Sequence, residues 1–441
     1  MANVADVAPV TGQVEPPARR SIRGMLAQTE IDLRLFGMVF ALAVILLSFH
    51  ILSDGKFIQP NNMLTLAVQA SGIAIIATGM VLVIVSRNID LSVGSLVGLC
   101  AMSYAVLMTD WFPNIFGLAP DTPFLWALAL AMGIGIGAAI GALQGFIIAY
   151  IGVPSFIVTL GGLLTIRGLV WYQASGAAVN GLDPTFLLIG GGAQGSIGGT
   201  LTWALALIGA IAIVAILVNS RRQRHRYGFP VRPIWAEVLI GAVGVAVILG
   251  LAWFANNNFW PQGLAERVAV EQGWGPAPAG GWRIPTGFPF PIVLLIGVTL
   301  AMTWIATRRK FGRYVYAYGG NPDAAELAGI NTRWTILKTY VLMGVLCALA
   351  AAIVSARLNG STLDIGDTYE LLVISAAVIG GTSFAGGIGT IPGAVLGAFV
   401  VFSLKYGLSF VGVNSPGQNV VIGLVLIVAV GLDTINRRRG T

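Results

Sequence analysis

Long apolar runs, separated by short polar or Pro/Gly-rich breaks, make up most of the chain from residue 35 onward. A helix crosses a bilayer with roughly twenty apolar residues, whereas an outer-membrane barrel shows short alternating segments. The pattern therefore predicts an all-α polytopic membrane protein with about twelve transmembrane helices, within a range of about ten to twelve. The predicted spans are 35–52, 62–86, 91–108, 124–150, 154–172, 201–219, 235–256, 289–307, 335–357, 370–384, 387–409 and 418–435, of which the short tenth could be a re-entrant piece.

The basic residues predict the orientation of these spans, because lysine and arginine accumulate on the cytoplasmic side of short loops. When the spans alternate from a cytoplasmic N-terminus, the basic stretches at 19–34, 221–232, 308–313 and 437–439 all lie inside. We therefore expect both termini to be cytoplasmic. The predicted organisation is a tail over 1–34 that includes a surface helix over Ser21–Leu35, a transmembrane domain over 35–436, and a tail over 437–441.

Composition agrees with a membrane protein and narrows its chemistry. With 56% hydrophobic and 10% charged residues, the chain has too few charges to cover a water-soluble body of 441 residues. The net charge of +7 comes from residues beside apolar runs, so it indicates topology and no nucleic-acid partner. Cys100 and Cys347 lie in apolar segments and the chain has two histidines, so no disulfide framework or metal site is indicated.

Motifs for catalysis are absent from the sequence. There is no phosphate-binding GxxxxGK followed by Ser or Thr, no HExxH and no GxSxG. A series of buried acids suited to proton coupling is also missing, because most acids lie in loops or near span ends. The chain is therefore predicted to be a non-catalytic transporter or channel without a cofactor. If it pumps, another subunit must supply the energy.

One polar stretch, Arg308–Trp334, interrupts the apolar pattern between the eighth and ninth spans. Within it, Asn321 can cap a helix, Pro322 suits the first helical position and Gly329 can end the helix after Ala328. A helix of about two turns does not persist alone in water. We expect it to be held either by neighbouring helices of the chain or by another protein.

A second interruption, Arg87–Ser95, separates two apolar runs without room for a loop. Asp90 can cap a helix that starts at Leu91 and can pair with Arg87. The segment could equally be a broken helix beside a solute path, because non-helical backbone at membrane depth is tolerated where it lines a cavity. Both readings stay open. Arg167 in the fifth span is a candidate for a polar lining or an interface, whereas Lys405 is expected to snorkel.

Glycines recur at every fourth position in the fourth span, at 133, 137, 141 and 145. Such a stripe lets another helix approach closely, which favours internal helix packing over a gating or dimer face. A similar group, Gly389, Gly393 and Gly397, stands beside Pro392, which predicts a break or bend there.

Four motifs, in order along the chain, resemble a known family. They are IDLSVGS at 89–95, GALQGFIIAYIGVPSFIVTLGGLLTIRGL at 141–169, FGRYVYAYGGNPDAAELAGIN at 311–331 and GGTSFAGGIGTIPGAVLGA at 380–398. These resemble the inner-membrane permeases of bacterial ATP-binding-cassette importers for ribose, xylose and arabinose. The extra apolar material near 201–256, and the outside loop after it, is similar to the longer D-xylose type. Gln144 stands where many such permeases carry Asn.

The resemblance implies a pentose permease that works as a homodimer in the bacterial inner membrane, with two cytoplasmic ATP-binding subunits and a periplasmic sugar-binding protein. It implies ATPase-coupling residues in the polar stretch, namely Phe311, Gly312, Arg313, Gly319, Gly320, Asn321, Pro322, Ala325, Glu326, Ala328 and Gly329. The candidates for a translocation path or gate are Asp90, Ser92, Ser95, Gln144 and Arg167. The alternative function is a stand-alone secondary transporter or facilitator, in which the small helix would pack only on its own chain.

Overall fold

The computed structural model describes residues 33–119 and 122–440. The predicted surface helix over Ser21–Leu35 lies outside the described residues as far as residue 32. In chain order, the first elements are α1 (Leu33–Leu52), α2 (Pro60–Val85), α3 (Val93–Val106), α4 (Leu125–Phe146), α5 (Ser155–Gln173), β1 (Val179–Asn180), α6 (Pro184–Leu187), α7 (Gly198–Arg226) and α8 (Ile234–Asn256). They are followed by α9 (Gln262–Glu271), α10 (Phe290–Arg308), α11 (Lys310–Gly320), α12 (Pro322–Leu327), α13 (Thr332–Leu358), β2 (Gly360–Ser361), α14 (Tyr369–Ile379), α15 (Ile391–Phe410) and α16 (Ser415–Gly440).

The predicted all-α polytopic class is confirmed, since ten helices in the described part of the chain are long and apolar enough to cross a membrane. Two further apolar helices are shorter, α14 and the Ser415–Val428 part of α16. All twelve predicted runs are therefore helical. With 11 residues, α14 measures about 16 Å and is too short to cross alone. The non-helical residues 362–368 precede it.

Several boundaries and helices differ from the predictions. The third span does not end at 108, because a π-helical turn over Leu107–Ile115 continues α3 through Pro113. A second π-helical turn, Ile147–Ile151, continues α4. Neither α9, in the long loop after α8, nor α11, in the polar stretch, was predicted. The predicted break near Pro392 is present, because α14 ends at Ile379 and α15 begins at Ile391, and Pro392 stands in the first turn of α15 without bending it.

Three helices form the core of the bundle. The most apolar stretches of α2, α3 and α13 are 94%, 89% and 67% buried within the protein, whereas those of α1 and α8 are each only 11% buried. The hairpin of α7 and α8 forms the additional apolar material, and Arg221 and Glu237 close its turn with a 2.7 Å ion pair. The core is therefore built from α2, α3 and α13.

The glycine stripe of α4 packs against α13, as the helix-packing interpretation predicts. A side chain at Gly137 would collide with the carbonyl oxygen of Gly344, and one at Gly141 with the carbonyl oxygen of Tyr340. Likewise, Gly397 lies against the carbonyl oxygen of Ala376 and joins α15 to α14. These close backbone approaches replace the hydrophobic driving force that is missing between helices in lipid.

Candidate transport site and coupling element

The interruption between α2 and α3 covers residues 86–92. Here Asp90 Oδ1 accepts hydrogen bonds from the Ser92 backbone amide at 2.9 Å and from Ser92 Oγ at 2.7 Å. The helix begins at Val93, so the prediction that Asp90 caps a helix from Leu91 is wrong. The predicted pair with Arg87 is also wrong, because the ion pairs within the described chain are Arg167–Asp367 and Arg221–Glu237.

A buried hydrogen-bonded series links this interruption to α4. Gln144 Nε2 donates to Ser92 Oγ at 2.9 Å, and Ser92 Oγ in turn donates to Asp90. Asp90 is 1% exposed and Gln144 is 5% exposed. Three of the five predicted path residues are therefore in direct contact and are closed off from solvent.

Polar side chains of α5 hold the other side of the interruption. Ser155 Oγ accepts from the Ile89 amide at 3.3 Å, while Thr159 Oγ1 donates to the Ile89 carbonyl oxygen at 3.3 Å. One turn into α3, Ser95 Oγ donates to the Leu163 carbonyl oxygen at 2.9 Å. The broken backbone between α2 and α3 is thus paired within the protein, as non-helical backbone must be at membrane depth.

Arg167 lies about 18 Å along α5 from Ser155. It contacts the non-helical residues 362–368, which form a further interruption before α14. Its Nη1 donates to the carbonyl oxygens of Leu363 and Ile365 at 3.0 and 3.1 Å. Its Nη2 lies 3.5 Å from Asp367 Oδ1. The side chain of Asp367 is 73% exposed, whereas that of Arg167 is 30% exposed.

The structure thus places the five predicted path residues in two groups. Asp90, Ser92 and Gln144 form one series with Ser95 beside it, whereas Arg167 has its own partners in residues 362–368. Sequence reasoning missed Asp367. Its signal was an interruption of the apolar pattern that includes Gly366, like the one recognised at 87–95.

The coupling stretch contains two helices. α11 folds back on α10 because Gly312 lets its backbone approach the carbonyl oxygens of Ile305 and Ala306. α12 follows and has the predicted start and end. Asn321 Oδ1 accepts from the Ala324 amide at 3.1 Å, Pro322 occupies the first turn, and Gly329 adopts a left-handed φ of 77° just beyond the helix.

One face of α12 is attached to its own chain and the other is free. Ala325 is buried, and Glu326 Oε1 accepts from Thr332 Oγ1 at 2.9 Å, which fastens α12 to the start of α13. By contrast, Leu327 is 90% exposed. The remaining predicted coupling residues are the half-buried Phe311, Arg313, whose Nη1 donates to the Arg308 carbonyl oxygen, and the exposed Ala328.

The end of α11 meets residues 85–87 and 386–389, and we name this contact region the joint. Arg87, which sequence reasoning assigned to Asp90, donates from Nε to the Gly319 carbonyl oxygen at 2.7 Å and from Nη2 to that of Gly320 at 2.9 Å. The Gly387 amide donates to the Val85 carbonyl oxygen at 3.0 Å. Burial raises the pKa of the nearby Tyr318 hydroxyl, Glu326 raises it further, and Arg87 lowers it.

Comparison with known proteins places these features in one family. The branched-chain amino acid transport system / permease component family matches residues 62–222 and 230–430. The chain belongs to this family. The two matched ranges include both interruptions, the joint and every candidate residue of the path and of the coupling stretch. The short gap between them falls at the turn of the α7–α8 hairpin.

Curated relatives in the family cover nearly the whole chain. It is 33% identical to the xylose transport system permease protein of Haemophilus influenzae over 94% of this chain and 100% of the relative. It is 28% identical to the galactose/methyl galactoside import permease protein of Escherichia coli K12, over 91% and 95% of the two chains. It is 30% identical to the ribose import permease protein of the same strain, over 90% and 92%. No solved structure matches the chain.

Proposed function

We propose that this protein is the membrane-spanning permease subunit of an ATP-binding-cassette importer in the bacterial inner membrane, and that it forms the path for a monosaccharide. D-xylose is the favoured sugar. The subunit itself is non-catalytic, and a separate pair of cytoplasmic subunits hydrolyses ATP. A periplasmic protein delivers the sugar to a homodimer of this chain.

The observation that carries the proposal is the match to sugar permeases over at least 90% of the chain. All three relatives are named for the transport of monosaccharides, and this supports the sugar class. The choice of xylose rests on the higher identity of 33% and on the match over the full length of that relative.

The candidate site supports transport through interrupted helices. The hydrogen-bonded series of Asp90, Ser92 and Gln144 is buried, so in this conformation it closes a path and does not line an open one. The exposed carboxylate of Asp367, held beside Arg167, supports a wet or protein-covered surface on the outer side of this closure. Ser95 lies between the two groups. We propose that these residues form the gate and the adjoining lining.

The coupling stretch supports the partnership with an ATPase. A short helix whose apolar Leu327 is left exposed, while its other face is fastened to α13, suits insertion into a groove of a second protein. Gly312 and Gly319 pack α11 closely against the bundle, so force on α12 is transmitted to the membrane helices.

Reconstitution in proteoliposomes tests the function directly. Uptake of labelled D-xylose should require the ATP-binding subunit, the sugar-binding protein and internal ATP, and unlabelled xylose should compete better than ribose, galactose or leucine. Uptake that persists without ATP or the ATPase would instead indicate the stand-alone facilitator or secondary transporter. Better competition by ribose or galactose would retain the sugar importer and reject xylose, whereas competition by leucine would reject the sugar class.

A further inference from the structure

The side chain of Arg87 joins the end of α11 to the interruption that contains Asp90. Its guanidinium donates hydrogen bonds to two successive carbonyl oxygens, from Nε to that of Gly319 at 2.7 Å and from Nη2 to that of Gly320 at 2.9 Å. Within the described chain, no other side-chain hydrogen bond joins residues 86–92 to α11. We infer that Arg87 is a positioning residue that transmits displacement of α11 and α12 to the buried gate. This inference rests on the proposed function.

The chemistry of the contact suits a firm connection. The last carbonyl groups of a helix have no partner within it, and a cation near this end is also favoured by the helix dipole. A guanidinium presents several donors in a fixed planar fork, so it can hold two oxygens at once with a defined orientation. A lysine ammonium in the same place is a point charge on a flexible stem and would hold α11 with less definition.

The backbone at Arg87 is specifically shaped for this contact. Arg87 adopts a left-handed φ of 60°, which is uncommon for a residue with a long side chain. On either side of it, Val85 accepts from the Gly387 amide at 3.0 Å, and Asn88 Nδ2 donates to the Ser86 carbonyl oxygen at 2.8 Å. These hydrogen bonds therefore hold the backbone in the conformation that brings the Arg87 side chain to the end of α11.

The connection to the gate is short. Asp90 follows Arg87 by three residues, a distance of at most about 11 Å along an extended chain. Between them, Ile89 is held by Ser155 and Thr159 of α5. The short segment between Arg87 and Asp90 therefore cannot take up a movement of Arg87, and the movement is passed on to Asp90, Ser92 and Gln144. If Arg87 only capped the end of α11, this short connection to Asp90 would not be needed.

The test compares Arg87→Gln and Arg87→Lys with Arg222→Gln. Arg222 is an exposed arginine whose side chain makes no hydrogen bond to another described residue, so it is a matched control. The assay measures sugar transported per ATP hydrolysed in the reconstituted complex, together with binding of the ATPase subunit. For Arg87→Gln we expect the transport ratio to fall at least about tenfold while the ATPase still binds, and Arg87→Lys should fall between it and the unaltered protein. Arg222→Gln should leave the ratio unchanged.

An unchanged ratio in Arg87→Gln would overturn the inference, as would an equal loss in Arg222→Gln. If Arg87→Gln is not inserted, Arg87→Lys decides in the same assay, because a full transport ratio in that variant would show that the fork is not needed.

A measurement on the permease alone separates this inference from the proposed function. Cys100 and Cys347 are both buried, so a spin label can be directed to Leu327→Cys on the exposed face of α12. The label should become more mobile in Arg87→Gln and not in Arg222→Gln, even if no sugar uptake is found for the unaltered protein. Equal mobility in the two variants would show that Arg87 does not hold α11 and α12 in place.

Discussion

Gly319 and Gly320 are adjacent glycines at the end of α11 that face different surroundings, and they provide a sharp test of the joint. A Cβ atom at Gly319 would collide with the Val85 carbonyl oxygen and lie 2.7 Å from the Gly387 amide nitrogen. A Cβ atom at Gly320 would have no neighbouring atom within 4 Å. We therefore predict that Gly319→Ala disrupts the packing of α11, whereas Gly320→Ala is tolerated.

The magnitude follows from the atoms that are involved. The Val85 oxygen is main chain and cannot rotate away as a side chain would, so the new methyl group must displace α11. Overpacking of this kind costs about 1–3 kcal/mol. Since about 1.4 kcal/mol corresponds to a factor of ten, the docked population of α11 should fall roughly 5- to 150-fold relative to the undocked one. At Gly320, alanine should favour the helix by up to about 1 kcal/mol.

Hydrogen exchange followed by mass spectrometry measures this opening directly, because amides in α11 and α12 exchange when the segment leaves the bundle. In Gly319→Ala their exchange should speed up by roughly the same 5- to 150-fold, with the amides of α13 as the internal reference. In Gly320→Ala it should stay the same or slow down. Equal exchange in the two variants would refute the packing argument, as would faster exchange in Gly320→Ala.

Two further predictions concern the membrane helices. Gly141→Ala should lower the stability by about 1–3 kcal/mol, because its methyl group would meet the Tyr340 carbonyl oxygen, whereas Gly135→Ala, with no atom within 4 Å, should not. Thermal unfolding in detergent compares the two, and equal midpoints would contradict the role of the stripe. Gln144→Leu should destabilise by about 1–3 kcal/mol, because Ser92 loses its buried donor, and an unchanged midpoint in the same assay would argue against the series.

Local patterns predicted much of the fold correctly. The twelve apolar runs are helical because a helix satisfies its own backbone hydrogen bonds where lipid offers no partner. The cap of α12 was also predictable, since Asn321 and Pro322 act on their immediate neighbours. The glycine spacing predicted close helix packing because every fourth residue lies on the same face of a helix.

Long-range contacts were not predictable in the same way. The partner of Arg87 follows it by 232 residues, and the nearest acid in the sequence, Asp90, was the natural but wrong choice. Its carboxylate instead bonds to Ser92, two residues away. The helix α11 did leave a signal that was missed, because its buried positions Gly312, Val315 and Gly319 recur with helical spacing.

The arrangement of α5 explains how the two interruptions can act together. Thr159 bonds to the interruption between α2 and α3, and Arg167, about 12 Å further along the same helix, bonds to residues 362–368. Only 17% of the most apolar stretch of α5 is buried within the protein, against 94% for that of α2. α5 therefore buries much less of its apolar surface within the chain than α2 does. If Arg87 displaces the residues around Asp90, as we infer, the hydrogen bonds of Ile89 to Ser155 and Thr159 pass that displacement to α5, the helix whose Arg167 holds residues 362–368.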